Sequence, residues 1–227
     1  MSETLETSER TTQASVRVLL VDDHDLFRTG LRNLLEEQGI DVVGEAGDGG
    51  QAVRLVRELA PDVVVMDLNM PGLGGVEATR QVTTVAPLTR VVVLTISDQD
   101  ADVLDAILAG ACGYLMKDAT IEELMAGIRA ASIGESLISP HIASKVLQRI
   151  RATSAHPDIA ETIRTELSDR EIEVLKLIAN GKDNAMIAGE LHISPKTVKN
   201  HISNILMKLQ IENRIQAAVY AVRSGIV

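Results

Sequence analysis

The chain has no tryptophan, one cysteine and only three aromatic residues among 227. Phe27, Tyr114 and Tyr220 are too few and too scattered to build a stacking platform for single-stranded nucleic acid. Cys112 alone cannot close an internal disulfide, and a thiolate metal cluster is excluded. No apolar run approaches the roughly 20 residues that span a bilayer, so no membrane role is expected. The opening MSETLETSERTTQAS lacks an apolar core behind a basic head. It does not read as a secretory signal, and a cytoplasmic protein is expected.

What is present is an ordinary globular balance, 45% hydrophobic and 24% charged, at a length that suits two domains. Charge is divided unevenly. Residues 1–139 hold 10 Lys+Arg against 23 Asp+Glu, whereas residues 140–227 hold 12 against 9. The acidic half repels nucleic acid and the basic half tolerates it, so the halves are expected to serve different partners.

Residues 1–15 are polar and read as a disordered tail. Short apolar runs then recur at 16–21, 41–46, 62–67, 90–96 and 112–116. Near-continuous Val/Leu/Ile runs suit parallel strands covered on both faces. Segments of helical period separate them, such as Leu26/Phe27, Gly30/Leu31 and Leu34/Leu35. Five strand–helix units predict an α/β doubly wound five-stranded parallel sheet over 16–135; a barrel needs eight. Residues 136–166 break the rhythm and read as a linker with one helix starting near Pro140.

From 167 to 227 the period is helical throughout, predicting a separate all-α domain of four helices. Ser168 and Glu171 form a capping-box signature, and Gly181 fits the stop of that helix. A short helix over 184–191 leads into the tight link His192-Ile193-Ser194, and Ser194-Pro195 starts another. This is a helix-turn-helix layout. Helix 195–209 turns Val198, Ile202, Ile205, Leu206 and Leu209 to one side and Lys196, Lys199, Asn200 and Ser203 to the other. A polar-basic face after a tight turn suits a major groove, although most surface helices also carry a polar face.

The chemistry of the first half lies at strand ends. Asp22 and Asp23 end the first strand and Asp67 the third. If those strands are neighbours, three carboxylates share one crevice and require a proton or a divalent cation there. Oxygen-only ligands suit Mg²⁺. Thr95 ends the fourth strand and Lys117 the fifth, adding a hydroxyl and an ammonium. Together these groups suit a carboxylate that accepts a phosphoryl group.

VDDH at 21–24, MDLNMPGLGG at 66–75, LTIS at 94–97 and GYLMKD at 113–118 make residues 16–132 resemble the receiver domain of response regulators. TVKNHISNILMKL at 197–209 makes residues 167–227 resemble a LuxR-type helix-turn-helix, and the whole resembles the NarL/FixJ family. The resemblance implies Asp67 as phosphoacceptor, Asp23 as a direct Mg²⁺ ligand, Asp22 acting through water and Asn69 contributing its carbonyl. It implies Thr95 as switch hydroxyl, Tyr114 as switch aromatic and Lys117 as the phosphate-binding cation. One departure is Lys117-Asp118, where many receivers carry Lys-Pro. In the second half it implies base contacts by Lys199, Asn200 and Ser203, and phosphate or shaping contacts by Lys196, Thr197 and His201.

Only five Lys/Arg lie between 192 and 223, so DNA affinity is expected to depend on a homodimer when active. The last helix, 213–225, resembles the family's dimerisation helix, which implies Ile215, Val219 and Val222 as candidate contacts, or else they finish the domain's own core. The implied partners are a sensor histidine kinase and double-stranded DNA, with RNA polymerase as a further candidate. No enzymatic role is expected. A phosphatase with an aspartyl nucleophile needs a second aspartate two residues on, and Asn69 stands there. A flavin-binding domain needs a phosphate loop where VDDHDLF stands. A DNA-binding regulator that ignores phosphorylation is the remaining alternative.

Overall fold

The computed structural model describes residues 15–96, 100–138 and 166–226. Strands β1 (Arg17–Val21), β2 (Asp41–Ala46), β3 (Val63–Met66), β4 (Arg90–Thr95) and β5 (Gly113–Met116) alternate with five helices. These helices are α1 (Asp25–Glu37), α2 (Gly49–Leu59), α3 (Gly75–Val85), α4 (Asp100–Leu108) and α5 (Ile121–Ser132). All five expected strands are present and parallel, in the order β2-β1-β3-β4-β5. A two-residue strand, β6 (Leu137–Ile138), extends the sheet beside β5, so the first residues of the expected linker join the sheet. The expected helix near Pro140 and nearly all of the N-terminal tail lie outside the described residues.

Chain order and sheet order part company at β1, which lies between β2 and β3. That switch point opens a crevice at the carboxyl ends of β1 and β3, where such sheets bind their ligands. Apolar layers close both faces. Leu20, Leu31, Leu35, Val65, Leu94 and Ile128 fill one side, and Leu19, Ala52, Val56, Val64, Met66 and Val82 the other. Cys112 is buried, and burial pushes its thiol up to about 11, which leaves it inert at neutral pH.

The second unit holds α6 (Asp169–Ala179), α7 (Asn184–Leu191), α8 (Pro195–Lys208) and α9 (Arg214–Arg223). The Ser168–Glu171 capping box forms as the sequence predicts, and Gly181 follows α6 with φ +76°. α7 ends in His192, whose φ of 53° turns the chain before the Ser194 cap of α8. The apolar face of α8 goes inward, with Val198, Ile202 and Ile205 buried.

Glu171 does more than cap. Its carboxylate accepts from the Ser168 amide and hydroxyl at 2.8 Å and pairs with Lys208 at 2.7 Å, tying α6 to the end of α8. Burial alone would raise its pKa, but Lys208 and Ser168 outweigh burial and hold it below the ordinary 4.5. A lowered carboxyl contributes stability above the unfolded value, lost as pH falls through the folded one. The helical unit is therefore expected to melt at lower temperature as pH drops below 4.5. Glu171→Gln, which keeps an acceptor for Ser168 but not the charge, should flatten that acid dependence in a calorimetric pH series.

Candidate functional site

The strand register builds the acidic site. Val21 pairs with Met66, so the residues that follow them, Asp22 and Asp67, emerge side by side. The Asp67 amide donates to Val21 O at 2.9 Å, and the Lys117 amide to Thr95 O at 2.9 Å. Asp22, Asp67 and Thr95 are all buried. Carboxylate oxygens of Asp22, Asp23 and Asp67 and a ring nitrogen of His24 lie within 4.8 Å of one another.

Lys117 Nζ lies 2.7 Å from an oxygen of Asp22 and 2.7 Å from one of Asp67. Burial would lower its pKa, but the two carboxylates outweigh burial and raise it, so the ammonium is firmly charged. Asn69 donates its amide N–H to Asp67 at 3.3 Å and its side-chain Nδ2 to the Thr95 hydroxyl at 3.3 Å. His24 caps α1 without a side-chain bond, and its Nδ1 lies 2.7 Å from Asp23 Oδ1. That carboxylate oxygen is buried and makes no well-directed hydrogen bond, His24 Nδ1 being its close polar neighbour. Three carboxylates clustered this closely fit a hard divalent cation.

Two features escaped sequence reasoning. Arg28 anchors the first turn of α1, bonding the Asp22 carbonyl, Asp25 and Glu45. Burial would lower its pKa, but Asp25 and Glu45 outweigh burial and raise it. Phe27, on the same turn, lies under Lys117, with Nζ 4.7 Å from the ring centroid.

The second feature is the contact between the units. One apolar cluster contains Val103, Leu104, Ile107, Ala111 and Tyr114 of the first unit and Ile215, Ala217, Val219 and Val222 of the second. Tyr114 is fully buried in it. Asn213 caps α9 and donates Nδ2 to the carbonyls of Gly110 and Ala111 at 3.2 and 3.1 Å. Gln216 donates to Ile107 O at 3.2 Å. Ile215, Val219 and Val222 are thus inside the chain's own packing in this conformation, because α9 is covered by α6 and α4.

On α8, Lys196, Lys199, Asn200 and Ser203 are exposed and Thr197 and His201 half-buried. Thr197 is held by the Ser194 cap. Lys199 pairs with Glu135 of the first unit at 2.7 Å, a half-exposed ion pair worth well under about 1 kcal/mol.

A doubly wound domain with an acidic switch-point crevice, tethered to a helix-turn-helix, is the build of a response regulator. The comparisons agree. Residues 18–129 match the family described as "Response regulator receiver domain", and 165–221 match "Bacterial regulatory proteins, luxR family". The transcriptional regulatory protein LiaR of Bacillus subtilis is 47% identical over 93% of this chain and 99% of its own. The response regulator ChrA of a heme-sensing two-component system is 36% identical in its crystal structure, with TM-score 0.51, over 94% of this chain and 99% of that one. The response regulator RcsB in its DNA complex is 26% identical with TM-score 0.53, over 94% and 100%. The chain belongs to the NarL/FixJ-type response regulators, transcriptional regulators with a receiver and a LuxR-type DNA-binding domain. Among the described residues, no helix is long and apolar enough to cross a membrane.

Proposed function

We propose that Asp67 accepts a phosphoryl group from a sensor histidine kinase, and that this releases the DNA-binding domain. The observation that carries the reading is the convergence of Asp22, Asp23, Asp67 and Lys117 at the ends of β1, β3 and β5, with Thr95 joined to them from the end of β4 through Asn69 and the Lys117 amide. An Asp67 carboxylate oxygen attacks phosphorus, and the bond to the kinase imidazole breaks. Asp22, Asp23, Asp67 and the Asn69 carbonyl would hold Mg²⁺, which supplies neutralising charge at the phosphoryl oxygens. Lys117 moves from its carboxylate partners onto a phosphoryl oxygen, and the Thr95 hydroxyl donates to another.

Supporting a link to DNA, Tyr114 pairs in register with Val93, two residues before Thr95, and sits in the cluster that joins the units. Rearrangement at Thr95 and Tyr114 loosens α4 from α9 and parts Glu135 from Lys199. α8 then enters a major groove, with Lys199, Asn200 and Ser203 on bases and Lys196, Thr197 and His201 on the backbone. Freed from α4, α9 offers part of its apolar surface, with Ile215, Val219 and Val222 as candidates, to a second copy. The active species is a homodimer on double-stranded DNA, a setting in which RNA polymerase is a further partner.

Incubation with acetyl phosphate and Mg²⁺ tests the first step. The chain is expected to gain one hydroxylamine-labile phosphoryl group, and Asp67→Asn to gain none. Equal labelling of the variant would place the phosphoryl group elsewhere.

A further inference from the structure

We propose that Phe27 is a positioning residue that sets how readily a divalent cation displaces Lys117 from the acidic crevice. The inference rests on the reading of Asp22, Asp23 and Asp67 as the carboxylates that hold Mg²⁺. It adds a residue that no receiver marker in the sequence points to.

The geometry is a seat with three sides. Two are the carboxylates of Asp22 and Asp67, each with an oxygen 2.7 Å from Lys117 Nζ. The third is the Phe27 ring, whose centroid lies 4.7 Å from the same nitrogen. The negative face of an aromatic ring attracts a cation, and the attraction grows as water is removed. The Lys117 side chain is only 12% exposed, and those of Asp22 and Asp67 7% and 1%. The ring is also well fixed. It packs on the cluster containing Leu20, Leu31 and Val65, and the next residue, Arg28, is tied to the Asp22 carbonyl and Glu45.

An ammonium and a divalent ion are alternative occupants of the same two carboxylates. Whatever steadies the ammonium therefore raises the concentration of metal needed to replace it. Phe27 steadies the ammonium and offers the metal no ligand atom of its own, so the proposed effect runs through Lys117. A small cavity of about 10 Å³ lies between the ring, Asp22, Asp67 and Val65. A smaller side chain at 27 would open this space toward the ammonium and let water compete for it.

The test is titration of the full-length protein with Mn²⁺, the free ion being counted by electron paramagnetic resonance, with no phosphodonor present. Phe27→Leu is expected to bind Mn²⁺ about fivefold more tightly than the natural chain. Phe27→Tyr and Phe27→Trp keep a ring and should restore the natural affinity. In a Lys117→Gln background, Phe27→Leu should change nothing, because the group the ring acts on is gone. An unchanged affinity in Phe27→Leu would overturn the proposal. So would an equal shift in the ring-bearing variants, or a shift that persists without Lys117. If the natural chain binds no Mn²⁺, the metal reading fails and takes the proposal with it, an outcome distinct from metal binding that ignores Phe27.

Discussion

Gly75→Ala is expected to abolish phosphoryl uptake and cost the receiver domain about 2–3 kcal/mol. Gly75 opens α3, and its amide donates to the Leu68 carbonyl at 3.0 Å, so this turn lies directly on the loop that carries Asp67. A Cβ on Gly75 would overlap the Asp67 carbonyl oxygen and lie 2.6 Å from Leu68 Cα. Those are backbone atoms, which cannot swing aside as the tip of a long side chain can. The Asp67 amide is pinned from the other side by Val21 O at 2.9 Å, so the loop cannot retreat without losing strand pairing. Asp67 must then leave the reach of Lys117 and Asp22. Gly74→Ala is the control, since its Cβ would meet only the Leu68 carbonyl at 3.9 Å. Urea denaturation and acetyl-phosphate labelling of both variants check the claim. Similar behaviour of the two would show that the close approach at Gly75 does not matter.

Asn213→Asp is expected to activate the protein without a phosphodonor. The amide is oriented by its neighbours. Oδ1 accepts from the Ile215 and Gln216 amides, and Nδ2 donates to the carbonyls of Gly110 and Ala111. Aspartate keeps the first role, being as good an N-cap as asparagine. It cannot perform the second, because a carboxylate has no proton to give and faces two carbonyl oxygens instead. Asn213 is 5% exposed, so the repulsion occurs away from water, and the docked arrangement should lose about 2–3 kcal/mol. DNA affinity in the absence of phosphodonor should then rise about tenfold or more. Asn213→Ser, which caps without repelling, should fall between. If Asn213→Asp binds DNA as the natural chain does, this contact does not hold the DNA-binding domain back.

Much of this architecture was legible because it is periodic or punctuated. The five apolar runs gave the strands to within a residue or two, and the Ser194-Pro195 start placed α8. The acidic crevice was conditional on β1 and β3 being neighbours, which the register Val21–Met66 satisfies. The same signature, Thr120 followed three residues later by Glu123, marks the capping box of α5. Asn213 looks in sequence like one more helix cap; its bonds to residues 110 and 111 span about a hundred positions and leave no local trace. Lys199 stands on a polar face visible in the sequence, and the family resemblance implies its base contact, whereas its pairing with Glu135 depends on how the units dock. Phe27 stands in the sequence as a scarce aromatic on an apolar stripe, since nothing local tells an aromatic under a cation from an aromatic in a core. β6 is too short to carry a period.

In the proposed mechanism, chemistry at Asp67 governs the DNA-binding half. The decisive experiment is capture of genomic DNA fragments by the purified protein with Mg²⁺, with and without beryllium fluoride as a phosphoryl mimic. Specific fragments retained only with the mimic, and lost again in Asp67→Asn, are the predicted result. The same fragments retained with and without the mimic would mean that the protein binds DNA regardless of phosphorylation.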